Sequence, residues 1–208
     1  MARVLLVRHG QTQHNKDGIM QGLLDVPLND LGRKQARAVA RYIEQKYSLD
    51  AVYSSQLQRA YATGQAIATA QGCPLYTHTA LQELDVGEWS GLTYAASQAA
   101  HPEIWKQLEA DPYNTQRPGG ESFAQLYDRA TTWFRDTIEP QAGKTLCIVT
   151  HGATMRALLA YALAVDPAAF GIRMSVHNTG ISTLEYSRNQ KRWRVLSINC
   201  TSHLNYIN

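Results

Sequence analysis

The sequence predicts an α/β protein, a three-layer sandwich whose central sheet is mostly parallel, with an antiparallel edge strand and a helical lid insertion. Three observations carry that expectation. Val4 to Val7 and Leu146 to Val149 are continuous apolar runs, the pattern of strands covered on both faces in a parallel sheet. Stretches of helical period follow them. Near the C-terminus two β-rich segments flank a polar turn, as in an antiparallel hairpin.

Taken in order, the first strand is followed by Asp30 to Tyr47, which places Ala36, Val39, Ala40, Ile43 and Tyr47 on one helical face, with Asn29 or Asp30 as its cap. Asp50 to Ser54 is a shorter strand. Ser55 is the expected cap of a second helix, with Gln58 in the capping-box position, Leu57, Tyr61, Gly64 and Ala68 along one face, and Gly72 and Pro74 at its end. Pro74 to Thr77 reads as a strand. From about 80 to 140 the pattern changes to long helices, Thr93 to Leu108 and Ser122 to Ile138, joined by the Pro/Gly-rich Asp111 to Gly120. This segment reads as an insertion over one end of the sheet. Thr145 to Thr150 resumes the core, Ala153 to Ala164 is a nearly all-apolar helix, and Ile181 to Tyr186 with Trp193 to Asn199 form the hairpin. One domain over 1–208 accounts for the chain.

Composition narrows the function. With 208 residues, 44% hydrophobic and 18% charged, the chain is globular and can bury roughly 70% of the surface it exposes unfolded. A net charge of +3 is too small to predict a nucleic-acid or membrane partner. Cys73, Cys147 and Cys200 form no CxxC pair and no metal-ligand spacing, so reduced thiols are expected. Arg8 and His9 interrupt the first apolar run before it reaches the length of a secretory segment, and a cytoplasmic protein is expected.

Open α/β sheets bind ligands just beyond the carboxyl ends of their strands. Val4 to Val7 runs into Arg8-His9-Gly10, and Leu146 to Val149 into Thr150-His151-Gly152; the short central strand is followed within a few residues by Arg59. If these strands are neighbours, two imidazoles and two guanidinium groups converge. Such a set suits a phosphate. Arginine matches phosphate oxygens bidentately, and the helices that start near Ser55 and Gly152 add positive N-terminal ends. One neutral imidazole, His9, can attack phosphorus while its neighbour, protonated, donates to the developing charge. The surrounding positive charge disfavours the imidazolium form of His9. The leaving alkoxide needs a proton, and Glu83, just after the Pro74 to Thr77 strand, is the first choice, with Asp85 and Glu88 as alternatives. His14, His78, His101 and His177 are assigned to surface or core structure. No metal and no cofactor are called for.

Competing motifs fail. Ala142-Gly143-Lys144-Thr145 has the end of a P-loop, but Ile138 stands where its first glycine belongs and the segment precedes a strand. The basic residues Arg188, Lys191, Arg192 and Arg194 around Trp193 read as a solvated hairpin turn.

Together, Leu6-Val7-Arg8-His9-Gly10-Gln11-Thr12 with Asn15, Gln21-Gly22 with Asp25, Tyr53-Ser54-Ser55 with Arg59, Glu83 with Gly87, Trp89 and Gly91, Gly119-Gly120-Glu121-Ser122, and Val149-Thr150-His151-Gly152 resemble the histidine phosphatase superfamily, also called phosphoglycerate-mutase-like. The resemblance implies a phosphohistidine mechanism with His9 as nucleophile, Arg8, Arg59 and His151 as phosphate pocket, Glu83 as proton donor, and a small phosphomonoester as substrate. It also implies Asn15 as a phosphate ligand and Thr12, Gln21 and Gly22 as substrate-side contacts, with Gly152 beside them. Thr150 replaces the serine common before the second histidine. The tail from Leu196 to Leu204 is similar to that of metal-independent phosphoserine phosphatases, which implies that His203 approaches the substrate, although Val86 stands where that branch has a histidine. The short separation of Glu83 from His151 favours a hydrolase over a phosphoglycerate mutase, the runner-up; a phosphate-binding module without turnover is the alternative of another class. A homodimer is compatible with the sequence.

Overall fold

A computed structural model describes residues 1–205; the expected extent of 1–208 includes 206–208, which lie outside the described residues. The apolar runs become neighbouring strands. β1 (Ala2–Arg8), β2 (Ala51–Ser54), β3 (Leu75–Thr77) and β4 (Thr145–Thr150) are mutually parallel, while β5 (Ile181–Ser187) pairs antiparallel with β1 and β6 (Arg192–Cys200) antiparallel with β5. Across the sheet the order is β3-β2-β4-β1-β5-β6.

Helices cover both faces. The chain supplies α1 (Gln13–Asp17), α2 (Asp30–Lys46), α3 (Gln58–Gln71), α4 (Tyr94–Ala100), α5 (Pro102–Ala110), α6 (Phe123–Thr137), α7 (Gly152–Leu163) and α8 (Pro167–Arg173). Alternation along the central strands divides the core. Leu5, Val7, Cys147 and Val149 pack with Val39 and Ile43 of α2 and Ile67 of α3, whereas Val4, Leu6, Leu146 and Ile148 pack with Phe134 of α6 and Leu158 of α7. Each such fully buried aliphatic side chain contributes about 1.5–3 kcal/mol.

This two-sided packing positions the site. The first long helix after β1 lies on one face and the helix after β4 on the other, yet β1 and β4 are adjacent. The chain therefore diverges from their carboxyl ends in opposite directions and leaves a crevice there. Above it sits a third cluster, with Trp89 buried among Leu84, Val86, Phe123 and Leu126 and stacked on Trp105 at 5.0 Å.

Several local expectations are corrected. The single helix expected over Thr93 to Leu108 is two, because His101 precedes Pro102 and adopts a non-helical backbone (φ −135°, ψ 60°). Ser55 does not cap α3: Leu57 occupies the cap position with no side-chain bond, and the Ser55 hydroxyl accepts from Leu57 N inside the turn. The first turn of α3 is instead satisfied by Asp25, which accepts from Gln58 N (2.6 Å) and Gln58 Nε2 (3.0 Å). The buried face of α3 carries Arg59, Ala60, Thr63 and Gly64, and Tyr61 is exposed. Helices α1 and α8 were not expected, although Asp166 before Pro167 is a cap followed by proline at the first helical position. Among the described residues no helix is long and apolar enough to cross a membrane.

Candidate active site

The pairing of Arg8 with Thr150 across β1 and β4 sets the next residue of each strand, His9 and His151, side by side. Their ring centroids are 5.0 Å apart. His9 Nδ1 lies 2.7 Å from Gly10 O; a carbonyl only accepts, so Nδ1 carries the proton and Nε2 keeps its lone pair. The other ring is the reverse. Arg59 Nε donates to His151 Nδ1 at 3.2 Å, which leaves the His151 proton on Nε2, a buried atom without a partner among the described residues.

Both rings are neutral at neutral pH. Burial first, then the Arg59 and Arg8 guanidinium groups, hold His9 well below the usual histidine range, and burial and Arg59 do the same for His151. The expectation of a protonated His151 is therefore corrected: it offers a hydrogen-bond donor without a charge.

The arginines have distinct settings. Arg8 Nη1 donates to Val176 O at 2.7 Å, while Arg8 Nε is buried without a partner among the described residues. Arg59 is fully buried and donates to Leu24 O (2.6 Å) and Gly22 O (2.8 Å) as well as to His151. Burial pushes its pKa down to about 10, with Glu83 and Asp25 acting the other way. Gly22 is required in this contact. Its φ of +48° favours glycine, and a Cβ there would lie 2.8 Å from Val86 Cγ2.

Glu83 is held by backbone alone: Oε2 accepts from Gly152 N (3.1 Å), Oε1 from Ala153 N (3.1 Å) and Leu84 N (2.9 Å). The N-terminus of α7, expected at Gly152 to face the phosphate, instead grips this carboxylate. The segment leading to Glu83 is pinned from three sides. Thr150 Oγ1 donates to Leu81 O (2.7 Å), Thr154 Oγ1 to Gln82 O (2.6 Å) and Arg129 Nη2 to Glu83 O (2.9 Å).

A cavity of about 260 Å³ has Arg8, His9 and Glu83 in its wall. Arg59 lies behind that wall, fully buried, whereas His151, also buried, stands beside the His9 ring with its Nε2 unpartnered among the described residues. Asp85 and Glu88 are not part of it: Asp85 Oδ1 accepts from Gly87 N, and Glu88 is exposed beside His101. Asn15, Gln21 and Gly22 do line it. Asn15 Oδ1 accepts from Thr12 N and Asn178 Nδ2, which leaves its amide N–H groups for an anion.

Two expected substrate contacts are elsewhere. Thr12 is fully buried and caps α1, its hydroxyl accepting from Asn15 N and donating to Gln21 Oε1. His203 is carried by the turn after β6 into a separate cavity beside α2, its ring 5.7 Å from that of Tyr42 and its Nε2 3.0 Å from Thr179 Oγ1. Among the described residues its link to the site is Thr179, whose N–H donates to Arg8 O at 2.9 Å. Conversely, His14, Tyr94 and Arg156 line the cavity unforeseen. Only Arg156 carried a signal, a lone charge in a nearly apolar helix.

A family model described as the histidine phosphatase superfamily, branch 1, matches residues 4–201. Phosphoserine phosphatase 1 of Hydrogenobacter thermophilus is 31% identical over 98% of this chain and 95% of its own. Phosphoglycerate mutase-like protein 4 of Arabidopsis thaliana is 35% identical over 98% of this chain and 87% of its own. Among solved structures, a mycobacterial glucosyl-3-phosphoglycerate phosphatase complexed with VO3 superposes with a TM-score of 0.84 at 30% identity, covering 96% of this chain and 99% of that one.

Proposed function

The chain belongs to the histidine phosphatase superfamily, and on that premise we propose that it hydrolyses a small phosphomonoester through a phosphohistidine formed on His9, without a metal. The observation that carries this reading is the opposed pair of tautomers, one ring with a free Nε2 and the other with an Nε2–H, 5.0 Å apart. In the first step His9 Nε2 bonds to phosphorus, the ester P–O bond breaks, and Glu83, the one carboxyl group among the described residues that lines the cavity, gives the leaving alkoxide its proton. In the second, the Glu83 carboxylate takes a proton from water, the new oxygen bonds to phosphorus, and the P–N bond breaks to return neutral His9. Arg8, the His151 Nε2–H and the Asn15 amide supply donors for the equatorial oxygens. Arg59 acts from behind by fixing the His151 tautomer.

The test is mutational. His9→Ala lowers turnover of p-nitrophenyl phosphate by several orders of magnitude and abolishes acid-labile labelling by ³²P-substrate, while EDTA leaves the wild-type rate unchanged. Retention of most activity by His9→Ala, or its loss with EDTA, overturns the reading.

A further inference from the structure

A second cavity, of about 520 Å³, adjoins the one that holds His9 and shares Leu84, Tyr94 and Arg156 with it. Aromatic rings form much of its wall, those of Tyr94, Trp105, Tyr113 and Phe123. Two guanidinium groups sit among them, Arg117 and Arg156. Neither is in an ion pair among the described residues: the neighbouring Glu121 is taken by Arg129 at 2.6 Å, and Glu109, also on the cavity rim, is exposed. Arg156 Nε is buried with no hydrogen-bond partner among the described residues, and the hydrogen bond of Arg117 Nη1 goes to Thr115 O.

The electrostatics link the two cavities. Burial pushes the Arg117 pKa down to about 10, with the nearby Glu121 carboxylate acting the other way and Arg156 lowering it further; Arg156 acts in the same sense on Arg8. Arg8, Arg156 and Arg117 thus form a line of like charges from the phosphate-side cavity into the aromatic one. A phosphate offsets only the first. Partly desolvated charges without partners are costly, so the remaining two call for a second anion. A molecule of phosphoserine size would leave the aromatic volume unfilled.

We propose that the substrate is a phosphomonoester with a second anionic group on a ring-bearing or similarly bulky apolar body, the body lying against Tyr94 and Trp105 and the second anion on Arg156 and Arg117. The inference rests on the phosphatase reading above and names its substrate class. The anion can be a carboxylate or a second phosphoryl-type group, and the test separates them.

Three aryl phosphates that differ at the para position, a neutral carbamoyl, a carboxylate and a phosphonate, are compared by kcat/KM. In the wild type at least one anionic probe exceeds the neutral one by about tenfold, the scale of one charge-assisted contact, and the better of the two identifies the anion. Arg156→Met and Arg117→Met each bring that ratio towards one. Circular dichroism and the urea unfolding midpoint show that each variant is folded, and the loop variant Arg117→Met suffices where Arg156→Met does not fold. A wild-type ratio near one, or a ratio that survives in the folded variants, overturns the proposal while leaving the phosphatase reading intact. Failure of the wild type to hydrolyse any of the three overturns that reading, and this inference with it.

Discussion

Glu83 shows how much of the site is decided by single hydrogen bonds. Its two oxygens accept from three backbone N–H groups, a task that suits a carboxylate and not an amide. Glu83→Gln keeps the shape but turns an NH2 towards at least one of those donors and removes the acidic proton. The expected outcome is a larger loss of kcat on alkyl phosphates than on p-nitrophenyl phosphate, whose leaving group needs little protonation. Equal losses on both would assign the proton to another group. At this scale the sequence was informative about which residues and silent about their states. His9 and His151 were legible because each stands one residue beyond an apolar run. Their tautomers were not, because Gly10 O and Arg59 Nε set them, and the Arg59 contact exists only after β1, β4 and α3 have assembled. His203 was misplaced for the same reason: its neighbour in the fold is Tyr42 of α2, not the substrate-side cavity.

Among the elements, α2 does more than cover the sheet. Its start clamps the loop that follows His9: Asn29 N donates to Gln11 O (3.0 Å) and Gln35 Oε1 accepts from Gln11 N (2.9 Å). The approach is so close that a Cβ on Gly32 would lie 2.0 Å from Gln11 O. Backbone cannot yield as a flexible side chain does. Gly32→Ala is therefore expected to lower stability by about 1–3 kcal/mol, as overpacking does, and to reduce turnover by displacing His9. Urea unfolding and p-nitrophenyl phosphate turnover check both, and an unchanged midpoint would refute the close-contact account. The boundaries of α2 were legible because its cap, Asn29, is local. Those of α3 were not, since Asp25 satisfies its first turn from another loop. The break between α4 and α5 could have been placed from Pro102 alone.

At the level of the molecule, folding keeps His9, His151 and His203 neutral. Burial lowers all three, His203 to about 4 and the other two well below the usual range. In the unfolded chain each takes a proton near pH ~6.5. Above that pH neither state binds these protons and they contribute no pH dependence. Below it the unfolded chain binds more protons than the native one, so stability falls as the pH is lowered, by up to about 1.4 kcal/mol per pH unit for each histidine. Urea midpoints measured from pH ~7.5 to ~5 should be flat at first and then decline, and His203→Gln should make the decline shallower. Stability that held or rose over the acid half of that range would contradict the buried neutral state of these rings.

Short-range pattern alone determined the α/β class, the strands, most helices and the residues at the strand ends, since burial on both faces and helical period are written in consecutive side chains. Strand order was decided by the tertiary structure, and with it the crevice between β1 and β4, the capture of Glu83 by the start of α7, and the line from Arg8 through Arg156 to Arg117. These depend on which distant segments meet, and that is set by the packing of whole layers and not by any neighbouring residue.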